Sequence, residues 1–282
     1  ISYTLLNYKN KLCKLCNEKL DEYCIDIIES KKNDIILKYI ETVGLVDHYS
    51  TCAYNAEKYR YKKPILVSNS DVSYISAKQM RHPIIEIINK TEIYVPNDVD
   101  IGKEYNGFLL YGTNACGKSS LMKAIGLSII MAQAGMYVPC DSFEIAPFDS
   151  LYTRIDGNDN LYKGDSSFEV EMKELRTITN RSSSKTIVLG DEVCKGTEHI
   201  SATSIISASI NYLTNKLNSR FVFATHIHSL ADIDIIKSNN NIRFFHLSIE
   251  KSNNSIKYNR KLHPGIGETI YGLEVARYMK LN

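Results

Sequence analysis

The sequence predicts an α/β fold with a mostly parallel central sheet, preceded by an α-helical segment. Three observations lead there. From about residue 3 to residue 57 the chain has no Pro and only Gly44, and its apolar residues recur at three- and four-residue steps, the period of amphipathic helices. Beyond residue 64, short apolar runs alternate with helix-length stretches, the pattern of βαβ units and a parallel sheet. One of those runs opens directly into Gly112-Thr113-Asn114-Ala115-Cys116-Gly117-Lys118-Ser119, a glycine-bounded turn in front of a helical stretch.

Taken in order, Leu20, Tyr23, Cys24, Ile27 and Ile28, then Ile35, Ile36, Tyr39, Ile40 and Val43, mark the apolar faces of two helices. The charge-rich stretch Ser30-Lys31-Lys32-Asn33-Asp34 separates them, and Lys62-Lys63-Pro64 ends the helical section, because proline disfavours the helical conformation of the residue before it. This divides the chain into a helical segment, 1–63, and an α/β domain, 64–282. Within the latter, residues 108–111, 186–189 and 221–224 read as buried strands, and 118–134, 168–179 and 201–217 as the helices between them. Residues 242–250 and 255–262 flank Ser252-Asn253-Asn254 as a hairpin.

Composition narrows the class. The 282 residues suffice for one or two domains with a real core. Hydrophobic and charged contents of 44% and 23% exclude disordered and fibrous classes. Lys+Arg 34 against Asp+Glu 32 leaves a net +2, a balance that does not indicate a nucleic-acid-binding tail and does not exclude a local basic patch. No run reaches the roughly 18 apolar residues of a membrane helix; the best candidate, 124–136, is interrupted by Ser128 and Gln133. No signal peptide opens the chain, which begins at Ile1 and so reads as a piece of a longer protein. Seven cysteines, an odd number with no dense framework, indicate reduced thiols and an intracellular compartment. Cys13-Lys14-Leu15-Cys16 lacks a second pair at metal spacing and reads as two thiols on a helix.

The chemistry is concentrated at three strand ends. The segment from Gly112 to Ser119 is a full G-x4-G-K-S after a strand and before a helix. Its glycines let backbone N–H groups close around phosphate oxygens, where the helix N-terminus adds its positive end. Lys118 then reaches the β- and γ-phosphates, and the Ser119 hydroxyl ligates Mg²⁺. Ile187-Val188-Leu189-Gly190-Asp191-Glu192 is an apolar strand ending in paired carboxylates, of which Asp191 suits the metal and Glu192 the attacking water. Ala224-Thr225-His226 closes a further apolar strand, and sheets of this kind bind ligands outside their strand ends. His226 is therefore a candidate contact for the γ-phosphate or the water. Together these predict a P-loop NTPase, an ATPase with a catalytic Glu beside the metal-binding Asp.

The same residues carry a resemblance. From about residue 40 onward the chain resembles the C-terminal half of MutS-family DNA mismatch-repair ATPases. The resemblance rests on Arg81-His82-Pro83, Tyr94-Val95-Pro96-Asn97-Asp98, the P-loop, Ser166-Ser167-Phe168-Glu169-Val170-Glu171-Met172, Leu189-Gly190-Asp191-Glu192 with Gly196-Thr197, Ala224-Thr225-His226, Pro264-Gly265-Ile266 and Tyr271-Gly272-Leu273. It implies an ABC-like ATPase domain, with the N-terminal helices resembling the end of the lever that connects it to a DNA clamp.

What the resemblance implies for the site is a composite, dimeric arrangement taking ATP and Mg²⁺. A second copy supplies Ser166, and less surely Ser167, at the γ-phosphate. Tyr94 packs on adenine, Asn114 helps close the site, and Ala115, Cys116 and Ser120 belong to the nucleotide-binding loop and its helix. His82 reads as part of its turn rather than as a ligand. Where the family commonly has Gly-Arg-Gly-Thr-Ser-Thr after the carboxylates, this chain has Cys194-Lys195-Gly196-Thr197-Glu198-His199. That departure, with Gly157-Asn158-Asp159-Asn160 and Ala115-Cys116, brings it closer to the viral and organellar branch, and so to a viral factory, nucleoid or organelle matrix as its setting.

No segment resembles the family's mismatch-reading domain. The expected partner, mismatched or otherwise distorted double-stranded DNA, would thus be engaged through parts beyond this sequence. The main alternative is a nucleotide-gated assembly module acting on recombination or branched DNA with little turnover. A transport or chromosome-structure cassette is disfavoured, because Asp165-Ser166-Ser167-Phe168-Glu169 stands where an LSGGQ-like segment would precede the carboxylate strand.

Overall fold

Two long helices open the chain, α1 (Ser2–Glu29) and α2 (Lys32–Tyr59). The computed structural model describes residues 2–29, 32–89, 92–113, 116–155, 167–194, 197–252 and 255–267, and the chain divides into two compact units, 1–55 and 56–282. In the first unit two helices are present as predicted, but α2 already begins at Lys32, so Lys32, Asn33 and Asp34 of the expected break are helical. Pairs such as Lys14–Glu18 at 3.8 Å support the solvent face, each such pair adding a few tenths of a kcal/mol at about 0.2–0.5. The apolar stripe behaves otherwise than expected for a core-facing helix: Leu20, Tyr23, Ile28, Ile35, Tyr39 and Ile40 are all more than half exposed. Helical hydrogen bonds are local and need no partner, whereas burial of the stripe does.

The second unit is built on two sheets. After the two-residue β1 (Ile65–Leu66), β2 (Tyr74–Met80), the short α3 (Ile85–Ile88) and β3 (Asn97–Ile101) come β4 (Gly107–Tyr111), α4 (Lys118–Gln133), β5 (Ser142–Ala146) and β6 (Ser150–Arg154). They are followed by α5 (Ser167–Arg181), β7 (Thr186–Asp191), α6 (His199–Asn211), β8 (Arg220–Thr225), α7 (Asp234–Lys237), β9 (Ile242–Ser252) and β10 (Ser255–Pro264). The six-stranded sheet has the order β10-β9-β4-β8-β7-β6. Its strands from β9 to β6 are parallel, and β10 returns antiparallel on β9 as the predicted hairpin. The smaller sheet, β1-β5-β2-β3, is mostly antiparallel and was not expected from the sequence.

Every residue of β4 is buried, and its alternating side chains feed two cores. Phe108 and Leu110 face α4's Leu121 and Ile125 and the small sheet's Ile75 and Phe143. Leu109 and Tyr111 face the opposite way, toward Val188, Phe223 and α6's Ile206 and Ile210. A strand covered on both faces reads as an unbroken apolar run, which is why β4, β7 and β8 stand out in the sequence. The helix predicted for 201–217 is α6 continued by a π-helical turn, Tyr212–Lys216. At the start of β8, Arg220 is 2% exposed and donates through Nε to Ser73 O at 2.8 Å, tying the large sheet to the strand entry of the small one.

Candidate functional site

Because β4, β8 and β7 are adjacent and parallel, their C-terminal ends lie at one edge of the sheet. Gly112 follows β4 with φ 151°, and a Cβ there would sit 2.6 Å from the Cys116 sulfur. Gly117, with φ 107°, precedes the first helical residue. Both positions require a glycine's freedom. Lys118 is 5% exposed and folds back on the loop, donating from Nζ to Gly112 O at 2.7 Å and Thr113 O at 3.0 Å. Ser119 Oγ donates to the Asp191 carboxylate, so the helix start and the end of β7 are joined directly. The Thr113 hydroxyl is buried with no hydrogen-bond partner among the described residues.

The chain turns sharply after β7. Glu192 takes a left-handed conformation, φ 48°, and its N–H donates to Ala224 O of β8 at 3.0 Å. Its Oε1 lies 3.9 Å from His226 Nδ1, beyond hydrogen-bond reach. The Glu192 side chain is 15% exposed and that of His226 61%. Gly190 makes the turn possible: a Cβ there would meet Val193 at 2.7 Å and the Phe223 ring at 2.9 Å.

Beside the start of α4 lies a pocket of about 150 Å³ lined by Tyr94, Asn97, Gly117, Ser120, Leu247 and Arg260, among others. Burial pushes the Tyr94 hydroxyl above its ordinary range. Arg260 sits at φ 56° in the bulge of β10. Its Nη1 donates to Glu92 Oε2 at 3.0 Å, while Nε is buried and unpartnered among the described residues. Asn97 fixes the bulge, donating to Arg260 O at 3.0 Å and accepting from Leu262 N at 2.7 Å. His82 serves its turn as expected, accepting from the N–H groups of Ile84 and Ile85 at 3.2 Å each; burial lowers its pKa.

The structure thus brings Gly112, Thr113, Cys116, Gly117, Lys118 and Ser119 together with Asp191, Glu192 and His226, and sets Tyr94 and Ser120 in an adjoining pocket. Asn114, Ala115, Ser166, Lys195, Gly196 and residues 271–273 lie outside the described residues. Sequence reasoning missed Arg260 at the pocket, and no motif marked it. It also gave no role to Glu171, whose carboxylate is 2.7 Å from Cys194 N.

MutS domain V matches this chain over residues 108–282, a span that includes all three strand ends. The chain belongs to the MutS family. At 38% identity it is similar to a DNA mismatch repair mutS homolog of Acanthamoeba polyphaga mimivirus, over 96% of this chain and 27% of that protein. It is equally similar, at 38%, to a mitochondrial DNA mismatch repair mutS homolog of Sarcophyton glaucum, over 88% of this chain and 25% of the relative. The bacterial MutS of Prochlorococcus marinus (strain NATL1A) stands at 34%, over 91% and 28%. This MutS-family chain therefore has viral and organellar affinity, as its departures after Glu192 suggested. It spans about a quarter of the length of the curated relatives it matches. Among the described residues no helix is long and apolar enough to cross a membrane.

Proposed function

We propose that this MutS-family chain is a P-loop ATPase, ABC-like in fold, that binds ATP with Mg²⁺ and hydrolyses it as one half of a dimeric composite site, driving a DNA clamp in mismatch repair. The observation that carries this reading is the junction of Lys118, Ser119 and Asp191 at the sheet edge, formed by residues more than 70 positions apart. The residues present fit the ligands. Among the described residues, a buried ammonium held by loop carbonyls and a buried Thr113 hydroxyl without a hydrogen-bond partner are groups suited to phosphate oxygens. One carboxylate and one hydroxyl, with no cluster of three acidic, His or Cys donors among the described residues, is a donor set for Mg²⁺, which keeps waters and takes its remaining oxygens from substrate.

Gly112, Thr113, Asn114, Ala115, Cys116 and Gly117 would cradle the phosphates, and Lys118 would exchange its loop carbonyls for phosphate oxygens. Ser119 and Asp191 would hold Mg²⁺, which when bound neutralises charge developing on the phosphates. Glu192, held with little exposure at a left-handed turn, would accept a proton from and orient the attacking water. His226 reaches the same point from β8. Tyr94 and Ser120 line the pocket assigned to adenine, where an aromatic face offers stacking area. Ser166 of a second copy would complete the site, and mismatched or otherwise distorted double-stranded DNA would be engaged by the rest of the protein. The proposed setting is a reducing compartment, viral, nucleoid or organellar, as the odd number of scattered cysteines suggests.

The 3.9 Å gap between Glu192 and His226 bears on turnover alone; the second reading is a nucleotide-gated assembly module with little turnover acting on recombination or branched DNA. Steady-state ATP turnover of the complete protein, measured against its concentration, separates the two. The ATPase reading expects specific activity that rises with concentration and falls on the order of 100-fold or more in Glu192→Gln, with ATP still bound. Tight binding without turnover in the wild type would favour the assembly module.

A further inference from the structure

Glu171, on α5, is 6% exposed, yet no part of the proposed chemistry uses it. Its Oε1 accepts from Cys194 N–H at 2.7 Å and lies 3.8 Å from Arg154 Nε; Arg154 is engaged elsewhere as well, donating to Glu174 at 2.7 Å. Cys194 lies two residues after Glu192 in the same turned segment. Both residues are non-glycines in the left-handed region, at φ 48° and 66°, a conformation that persists only where its surroundings enforce it. The upstream end is enforced by β8, through Glu192 N to Ala224 O at 3.0 Å. The downstream end is enforced by Glu171. The two restraints come from different elements, and the carboxylate assigned to the attacking water sits between them. The carboxylate's proximity also registers on the Cys194 thiol, which burial first, and the Glu171 charge second, push up to about 12.

We propose that Glu171 is a positioning residue for ATP hydrolysis, holding the Glu192–Cys194 turn through the Cys194 N–H so that the Glu192 carboxylate keeps its aim. This rests on the ATPase reading above. The role requires a hydrogen-bond acceptor at full side-chain length and does not require the charge. A merely structural ion pair with Arg154 requires the reverse.

Three substitutions in the complete protein distinguish these roles, with single-turnover hydrolysis and ATP–Mg²⁺ affinity measured on each. Glu171→Gln retains an acceptor at the same reach and is expected to hydrolyse within about threefold of wild type. Glu171→Asp keeps the charge but falls one methylene short, and Glu171→Ala removes the acceptor. Both are expected to slow hydrolysis on the order of 10- to 100-fold, the scale of a misplaced reacting group, with ATP affinity within about twofold. Should Glu171→Ala fail to fold, seen as loss of ATP binding, the comparison of Gln with Asp decides alone. An active Asp variant with a slow Gln variant overturns the inference, as does unchanged hydrolysis in all three. A wild type that binds ATP and never hydrolyses it overturns the ATPase reading, and this inference with it.

Discussion

A methyl group at residue 190 has nowhere to go. Its Cβ would meet Val193 Cγ2 at 2.7 Å and the Phe223 ring edge at 2.9 Å, atoms that belong to the turn after β7 and to the core of β8. Gly190→Ala is expected to destabilise the second unit by about 1–3 kcal/mol, the range for overpacking a filled interior, read as a lower urea midpoint. Turnover should fall further than stability alone explains, since Val193 adjoins Glu192. At this scale the meeting of Ser119 with Asp191 beside the Lys118 loop was legible in advance. Lys118, Ser119 and Asp191 occupy positions where spacing and strand context carry a physical requirement, and the structure joins them. Arg260 and Glu171 were not legible. The first reaches its pocket only because a bulge in β10 turns it to φ 56°, and the second acts on a backbone N–H 23 residues away. Neither a bulge nor a distant amide leaves a periodic trace.

Between elements, the Asn97 side chain of β3 braces the bulge of β10. Asn97 is 2% exposed and satisfies a carbonyl at 260 and an amide at 262. Asn97→Ala removes the partner of both groups, at less than the roughly 1–3 kcal/mol of a fully buried unpaired group, since both are part-buried. The expected results are a lower melting temperature and weaker nucleotide affinity, because Arg260 lines the same pocket. The small sheet has an acid-sensitive contact. Glu144 of β5 accepts from Tyr74 Oη of β2 at 2.6 Å and pairs with Lys103 at 2.9 Å. The Tyr74 hydrogen bond first, then Lys103, hold its pKa below the ordinary 4.5. A depressed carboxyl pKa contributes stability that is present above 4.5 and is lost as pH falls through the folded value. Acid titration of stability should therefore be shallower below about pH 4.5 in Tyr74→Phe, by well under about 1 kcal/mol for so exposed a pair. This sheet escaped sequence reading because β1 is two residues long and β2 and β3 are half-covered strands separated by α3. β4, β7 and β8, buried throughout or nearly so, announce themselves as apolar runs.

For the second unit as a whole, the proposed nucleotide binding would be linked to folding. A ligand that binds only the folded state stabilises it by about 2.7 kcal/mol at a hundred times its Kd. ATP with Mg²⁺ should raise the melting temperature of the complete protein, and Lys118→Ala should abolish the rise while leaving the nucleotide-free melting temperature within a few degrees. The overall class, a helical segment followed by an α/β domain with parallel strands, was legible from period and alternation. Coverage of the apolar stripe on α1 and α2 was not, because a helical period shows that a face is apolar and not what lies against it. The order of the large sheet also governs the protein's synthesis. β4 pairs with β8 and β9, and roughly 110 residues must be translated after β4 before the first of these strands exists. At about 5–20 residues per second that is an interval of about 6–22 s, during which β4 lacks the strands it pairs with on either side. The candidate site therefore closes only after β7 and β8 have been made.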